Sequence, residues 1–216
     1  QKALDFLAST NCNLEHVNIN GDTALTLACQ CKNEELALAI LKSSACNSGQ
    51  ANERGETALI LACKNGWEKV VPIILQDPFC NPAFVGPARN TALYEALGVA
   101  CTDESKGEIL AFQVLERPDC NLGNGGHYYQ TPLSLACCMK LESIALKLLD
   151  FPSCNPGCVY HGQDILDIKL SGGTDPATAL YDAIDTGLEK VALEFLEHPS
   201  CNPYQVFGTE EENVTP

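Results

Sequence analysis

Basic residues, aromatics and long apolar runs are all in short supply in this 216-residue chain. Lys and Arg number 13 against 28 Asp and Glu, a formal net charge of −15. A phosphate backbone is held by clustered cations, so nucleic acid is not an expected partner. No apolar stretch approaches the ~18–20 residues that a spanning helix needs, so no membrane association is expected. Aromatics make up 6%, with one Trp and one Met, so the core has to be assembled mainly from Leu, Ile, Val, Ala and Cys. Catalytic patterns are missing too. No Gly-rich phosphate loop follows a strand, and there is no Ser-centred elbow or paired-carboxylate motif. A nucleophilic Cys needs a partnered base, and none of His16, His127, His161 and His198 pairs with a cysteine by spacing. The expectation is a chain with no enzymatic activity, no catalytic residue and no cofactor. A signal-peptide pattern is absent and the chain opens on Gln1, which reads as an excerpt of a longer protein.

Cysteine, by contrast, is abundant, with 13 residues. Six of them stand in the dipeptide Cys-Asn, beginning at Cys12, Cys46, Cys80, Cys120, Cys154 and Cys201. The steps between copies are 34, 34, 40, 34 and 47 residues. A second mark runs in phase: Thr23-Ala-Leu, Thr57-Ala-Leu, Thr91-Ala-Leu, Thr131-Pro-Leu and Thr178-Ala-Leu. A period in the thirties signals stacked helical repeats. Equivalent positions in neighbouring repeats lie about 8–10 Å apart, whereas a disulfide needs Cα atoms within about 7 Å. The thiol column therefore reads as reduced and buried, which fits a cytoplasmic or nuclear location. Cys154, Cys158 and His161 form Cys-x3-Cys-x2-His. Structural zinc wants four ligands, Cys154 already belongs to the repeat mark and no fourth ligand is evident, so no metal is expected.

Residues 57–81 show the chemistry of one copy. Thr57 is placed to cap a short first helix, to which Leu59, Leu61, Ala62 and Cys63 bring apolar and small side chains. In the fourth copy Pro132 takes the first helical position, where its missing N–H is harmless. Lys64-Asn65-Gly66 reads as a stop and turn. Val70, Val71, Ile74 and Leu75 form the buried stripe of a second helix, and Asp77-Pro78 ends it. Pro72 lies inside that stripe and is expected to bend the helix or cost it one hydrogen bond. Trp67 is expected to pack against a second helix. About eleven residues rich in Gly, Asn and Pro then lead to the next Thr, as a projecting hairpin or extended loop.

The pattern resembles the ankyrin repeat family. The matching positions are Gly21, Thr23, Leu25 and Ala28; Gly55, Thr57, Leu59, Ala62 and Gly66; Thr131, Pro132, Leu133 and Ala136; and Thr178, Leu180, Ala183 and Gly187. Cys replaces the Val that precedes the family's terminal Asn, which implies a thiol between repeats and an Asn side chain bonded to hairpin backbone. The resemblance implies an all-α fold, an α-solenoid of stacked helix-turn-helix repeats with projecting hairpin loops. One solenoid is expected over 1–204, with a half repeat at 1–13 and repeats at 14–47, 48–81, 82–121, 122–155 and 156–202. An acidic disordered tail is expected at 205–216. Six extra residues fall near the inter-helix turn of the third copy, around Gly98 to Gly107. Within the longer Asn155–Ala177 segment, 164–170 reads as a strand or a helical turn.

Function follows from the same resemblance, which implies a protein–protein interaction module for adaptor or recruitment work. A rigid acidic concave groove would receive a protein or peptide, with basic or mixed charge favoured by the −15 balance. The alternative is a substrate-selecting repeat domain of a larger enzyme or secreted effector whose catalytic part lies elsewhere. Partner-binding positions carried over from the family are Glu53, Arg54, Glu56, Lys64, Asn65, Tyr94, His127, Tyr128, Tyr129, Gln130 and Tyr181. Tyr128 and Tyr129 are the preferred anchors, because loop aromatics contribute area at low entropy cost. Asp182 and Asp185 read as an acidic patch, and the chain is expected to be a monomer.

Overall fold

The computed structural model describes residues 13–42, 46–86, 90–122, 131–151, 154 and 179–198. The expected half repeat at 1–13 (apart from Asn13), the 155–177 segment and the 205–216 tail lie outside them. The described residues are helical with turns and contain no strand. The helices are α1 (Ala24–Gln30), α2 (Glu34–Leu41), α3 (Ala58–Lys64), α4 (Val71–Gln76), α5 (Ala92–Ala100), α6 (Glu104–Leu115), α7 (Pro132–Cys138), α8 (Glu142–Leu149), α9 (Ala179–Thr186) and α10 (Glu189–Glu197). They fall in two compact units, residues 1–128 and 129–216. In the first unit α1 packs on α3 and α3 on α5, while α4 packs on α6. In the second, α7 packs on α9 and α8 on α10. This is a helical-repeat solenoid architecture.

The first helices α1, α3, α5 and α7 open in the same way. Thr23, Thr57, Thr91 and Thr131 have extended backbone, and each hydroxyl accepts the N–H three residues on, from Thr26, Ile60, Tyr94 and Ser134. That bond satisfies one of the N–H groups orphaned at a helix start. Two residues after each Thr comes a Leu (Leu25, Leu59, Leu93, Leu133, Leu180) and five after comes an Ala (Ala28, Ala62, Ala96, Ala136, Ala183). All ten are at most 5% exposed. Leu supplies the buried area and Ala lets the helices approach. α3 is sandwiched so closely between α1 and α5 that Ala58, Leu59, Ile60, Leu61, Ala62 and Cys63 are all buried.

The turn between helices is also shared. Nine residues after the Thr, the chain enters the left-handed region at Lys32 (φ 53°), Gly66 (72°), Lys140 (60°) and Gly187 (78°). Paired closing bonds complete a Schellman turn each time, as in Gly66 N–H to the Cys63 carbonyl (2.9 Å) and Trp67 N–H to the Ala62 carbonyl (3.1 Å). Glycine accepts this conformation freely; lysine holds it at a cost of about 1 kcal/mol. Trp67 is buried beyond this turn, as its position suggested.

Pro72 corrects one expectation. It neither kinks α4 nor removes a bond from its interior. The second helices α2, α8 and α10 begin eleven residues after the Thr, at Glu34, Glu142 and Glu189, but α4 begins only at Val71, which puts Pro72 in the first turn. There its missing N–H has no helical partner to lose. The buried stripe of Val70, Val71, Ile74 and Leu75 survives in a helix of 6 residues.

The six extra residues of the third copy do not lengthen the turn. α5 has 9 residues where α1, α3 and α7 have 7, and α6 has 12 where α2 and α8 have 8. Three residues still join the helices. Lengthening both walls lets them meet nearer the turn, and Gly107 lies against Ala100 so closely that a Cβ would strike the Ala100 backbone and methyl. Gly107→Ala is therefore expected to destabilise the protein by about 1–3 kcal/mol through overpacking, measured as a lower urea midpoint. An unchanged midpoint would refute this close approach.

Candidate interaction surface

The hairpins that precede α1 and α3 are built on an Asn five residues before the capping Thr. The Asn18 Oδ1 accepts the N–H of Asn20 (2.8 Å) and Asp22 (2.9 Å). Asn52 Oδ1 repeats this with Arg54 (3.0 Å) and Glu56 (2.9 Å). Backbone bonds from Asn18 to Asp22 (3.0 Å) and from Asn52 to Glu56 (3.1 Å) close each hairpin. Neighbouring tips are then tied together. Glu53 N–H donates to the Asn20 carbonyl at 2.9 Å. The buried Asp22 carboxylate accepts Asn52 Nδ2 and Gln30 Nε2, both at 2.8 Å, and Asn18 Nδ2 at 3.3 Å. This network was missed in the sequence, although Asn at Thr−5 in two successive copies was its visible signal.

On this framework Glu53 and Arg54 stand exposed at the second tip and Glu56 is half-buried beneath them, accepting from Asn52 Nδ2 at 3.3 Å. Lys64 is exposed at the far end of α3, about 10 Å away at 1.5 Å per residue. Asn65 follows it, and its Nδ2 donates to the Cys29 carbonyl at 2.7 Å, tying α3 to α1. Tyr94 is half-buried in the first turn of α5. Tyr181 belongs to α9, but its side chain lies outside the described residues, as do His127, Tyr128, Tyr129 and Gln130. The geometry thus unites Glu53, Arg54 and Glu56 on one tip and separates them from Lys64 and Asn65.

In the second unit the predicted acidic patch has a specific form. Ser134, 1% exposed on α7, donates its hydroxyl to Asp182 Oδ2 on α9. Cys138, one turn along α7, also bonds this carboxylate. Burial raises the Asp182 carboxyl above the ordinary 3.8, the hydrogen bonds from Ser134 and Cys138 oppose the rise, and nearby Asp185 adds to it. Since folding favours the protonated form, this group's contribution to stability is complete below pH 3.8 and is lost as pH rises through the raised folded value. Asp182→Asn should remove that loss, so that urea midpoints from about pH 4 to 7 decline less than in the wild type. Parallel curves would count against the assignment.

The thiols divide by position. The Cys-Asn cysteines Cys80, Cys120 and Cys154 are buried and Cys46 is half-buried; on the first helices, Cys29, Cys63 and Cys137 are all 0% exposed. None of the ten described cysteines forms a disulfide. Burial lifts the Cys29 thiol to about 12 and Cys46, Cys80 and Cys120 to about 11; it raises Cys63 and Cys137 as well. Cys31, Cys101 and Cys138 are exposed, but burial of the sulfur and the Asp182 charge still lift Cys138 to about 11. Among the described cysteines, iodoacetamide near pH 8 is expected to modify Cys31 and Cys101 first, with Cys138 lagging because only about one thiol in a thousand is ionised. The buried thiols should react only on unfolding. Peptide mass mapping reads the order, and early modification of Cys63 would refute it.

The Asn partners act as expected from the repeat. Asn13, Asn47 and Asn81 each accept, through Oδ1, the N–H two residues on (3.1, 3.0 and 3.0 Å). Among the described residues no three candidate ligands gather to hold a metal, and no helix is long and apolar enough to cross a membrane. Cys158 and His161 lie outside the described residues.

A family model described as ankyrin repeats, in 3 copies, matches residues 1–84. No curated protein matches the sequence. Among solved structures the chain is similar to the crystal structure of the human ASB11 ankyrin repeat domain. The two share 21% identity and a TM-score of 0.57 over 92% of this chain and 79% of that one. At that identity the likeness concerns the fold.

Proposed function

Starting from the premise that this chain is built of ankyrin repeats, we propose that it is an adaptor or recruitment module whose acidic groove and hairpin tips receive a protein or peptide of basic or mixed charge. Ankyrin repeats in general are protein–protein interaction modules rather than catalysts, and stacked repeats offer extended surfaces for the purpose. The observation that carries the proposal is pre-organisation. The tips at 18–22 and 52–56 are closed by Asn side chains and joined through Asp22 before any partner arrives. A tip already ordered loses little entropy on binding, so exposed Glu53 and Arg54 act from fixed positions. The sign of the partner follows from the net charge of −15 and from Asp182 and Asp185 on α9. Reduced thiols are consistent with work in the cytoplasm or nucleus.

Panning a phage-displayed random peptide library on the chain tests the reading. Enrichment of Lys- and Arg-containing peptides is expected. Glu53→Lys combined with Tyr128→Ala and Tyr129→Ala should weaken the best peptide by about tenfold or more, as for loss of interface anchors. Selection of acidic peptides, or affinity untouched by the triple change, would overturn it.

A further inference from the structure

An asparagine followed by glycine is prone to lose its side-chain amide without an enzyme, because glycine has no Cβ to hinder its nitrogen as it closes on the Asn side-chain carbonyl. The sequence holds three such pairs, Asn20-Gly21, Asn65-Gly66 and Asn124-Gly125. The last lies outside the described residues, and the fold treats the other two differently. In both, the glycine stands in the left-handed region, at φ 73° and 72°. In both, its N–H closes a turn, on the Asn18 carbonyl at 3.0 Å and on the Cys63 carbonyl at 2.9 Å. What separates them is the asparagine side chain. Asn65 Nδ2 donates to the Cys29 carbonyl at 2.7 Å, a bond it must leave before its carbonyl carbon can turn to the Gly66 nitrogen. Asn20 is exposed, and its side chain makes no hydrogen bond among the described residues. That exposure belongs to the position. Arg54 stands at the same place in the second tip, with the first tip on its preceding side, and is exposed too.

The turn itself demands the glycine. A Cβ at Gly21 would come within 3.2 Å of Asn52 Cα and 3.3 Å of the Glu53 nitrogen, and Gly55 holds the same conformation in the second tip. The residue before the glycine is free to differ, Asn20 in one tip and Arg54 in the other. We infer that Asn20 is a self-modification site. The Gly21 nitrogen loses its proton and attacks Asn20 Cγ; the N–Cγ bond forms, the Cγ–Nδ2 bond breaks and ammonia leaves, giving a cyclic imide. Water then opens the imide at either carbonyl. One opening restores the main chain and leaves an aspartate side chain. The other leaves isoaspartate, in which the main chain runs one carbon longer through the former side chain and the former main-chain carbonyl becomes a carboxylate. That carbonyl is the one that accepts the Glu53 N–H at 2.9 Å. Either product adds negative charge beside Glu53, and isoaspartate also displaces the acceptor that ties the two tips together. The reaction needs no partner, so it stands or falls apart from the adaptor reading.

The test ages the full chain in mildly alkaline buffer at physiological temperature and follows the replacement of NH2 by OH through peptide mass mapping. Position 20 should react about tenfold faster than position 65, the factor by which having to break one hydrogen bond slows a reaction. In urea, where no fold protects Asn65, the two should react alike. Arg54→Asn places an asparagine before Gly55 in the equivalent tip, and position 54 should then react at a rate comparable to position 20. The isoaspartyl fraction, separated by ion exchange, should show its Glu53 amide exchanging with deuterium at least about tenfold faster than in fresh protein. Aged Asn20→Gln should keep its Glu53 amide protected. Equal native rates at positions 20 and 65 overturn the proposal, as does a difference that survives in urea, which would assign it to flanking sequence. An inert position 54 in the Arg54→Asn variant, or Glu53 exchange unchanged in the isoaspartyl fraction, overturns it too. So does loss of Glu53 protection in aged Asn20→Gln.

Discussion

A helix of seven residues makes too few internal hydrogen bonds to persist alone in water, and that constraint governs this protein. α1, α3 and α7 are all of this length. Each persists because a Thr hydroxyl holds its first turn and because neighbouring helices bury its Leu and Ala. Neither contribution is local to one helix. The cap fixes where the helix begins, hence which residues face the next repeat, and burial by that repeat supplies the energy. Stability is therefore shared between neighbours, and the Thr-x-Leu-x-x-Ala spacing is the part of the pattern that cannot drift.

Departures from the period are absorbed where they disturb that stack least. Pro72 moves the start of α4 forward by three residues and leaves its buried stripe in register. The six extra residues of the third copy extend α5 and α6 and keep a three-residue turn, at the expense of requiring glycine at 107. Lys32 and Lys140 accept a left-handed backbone that Gly66 and Gly187 adopt freely. In each case side-chain direction toward the neighbouring repeat is preserved, and strain is confined to a helix end or a turn.

The same logic separates structure from surface. Positions that repeat, such as the first-helix cysteines and the second-helix Leu75 and Leu149, are buried between copies. Exposed charge, by contrast, stands at the hairpin tips, as at Glu53 and Arg54. Asn65 illustrates the boundary: it occupies a turn that the family resemblance marks for binding, but its amide is committed to the Cys29 carbonyl. Asp182 lies on the other side of it, a carboxylate placed by a neighbouring helix into contact with Ser134 and Cys138.

The all-helical repeat, its caps, its turns and most of its core were legible in the sequence, because each depends on residue types at short fixed spacing. A Thr before Leu-x-x-Ala marks where a helix starts, and a Gly nine residues later marks where one ends. The bond between Ser134 and Asp182, the tying of Asn52 to Asp22 and the nearness of Gly107 to Ala100 were not legible. They join residues that only the helix crossings bring together, or depend on how closely two helices approach. The sequence determined which side chains recur and therefore which are hidden. The tertiary structure alone decided which polar groups meet across repeats, because such contacts are settled by how the helices cross.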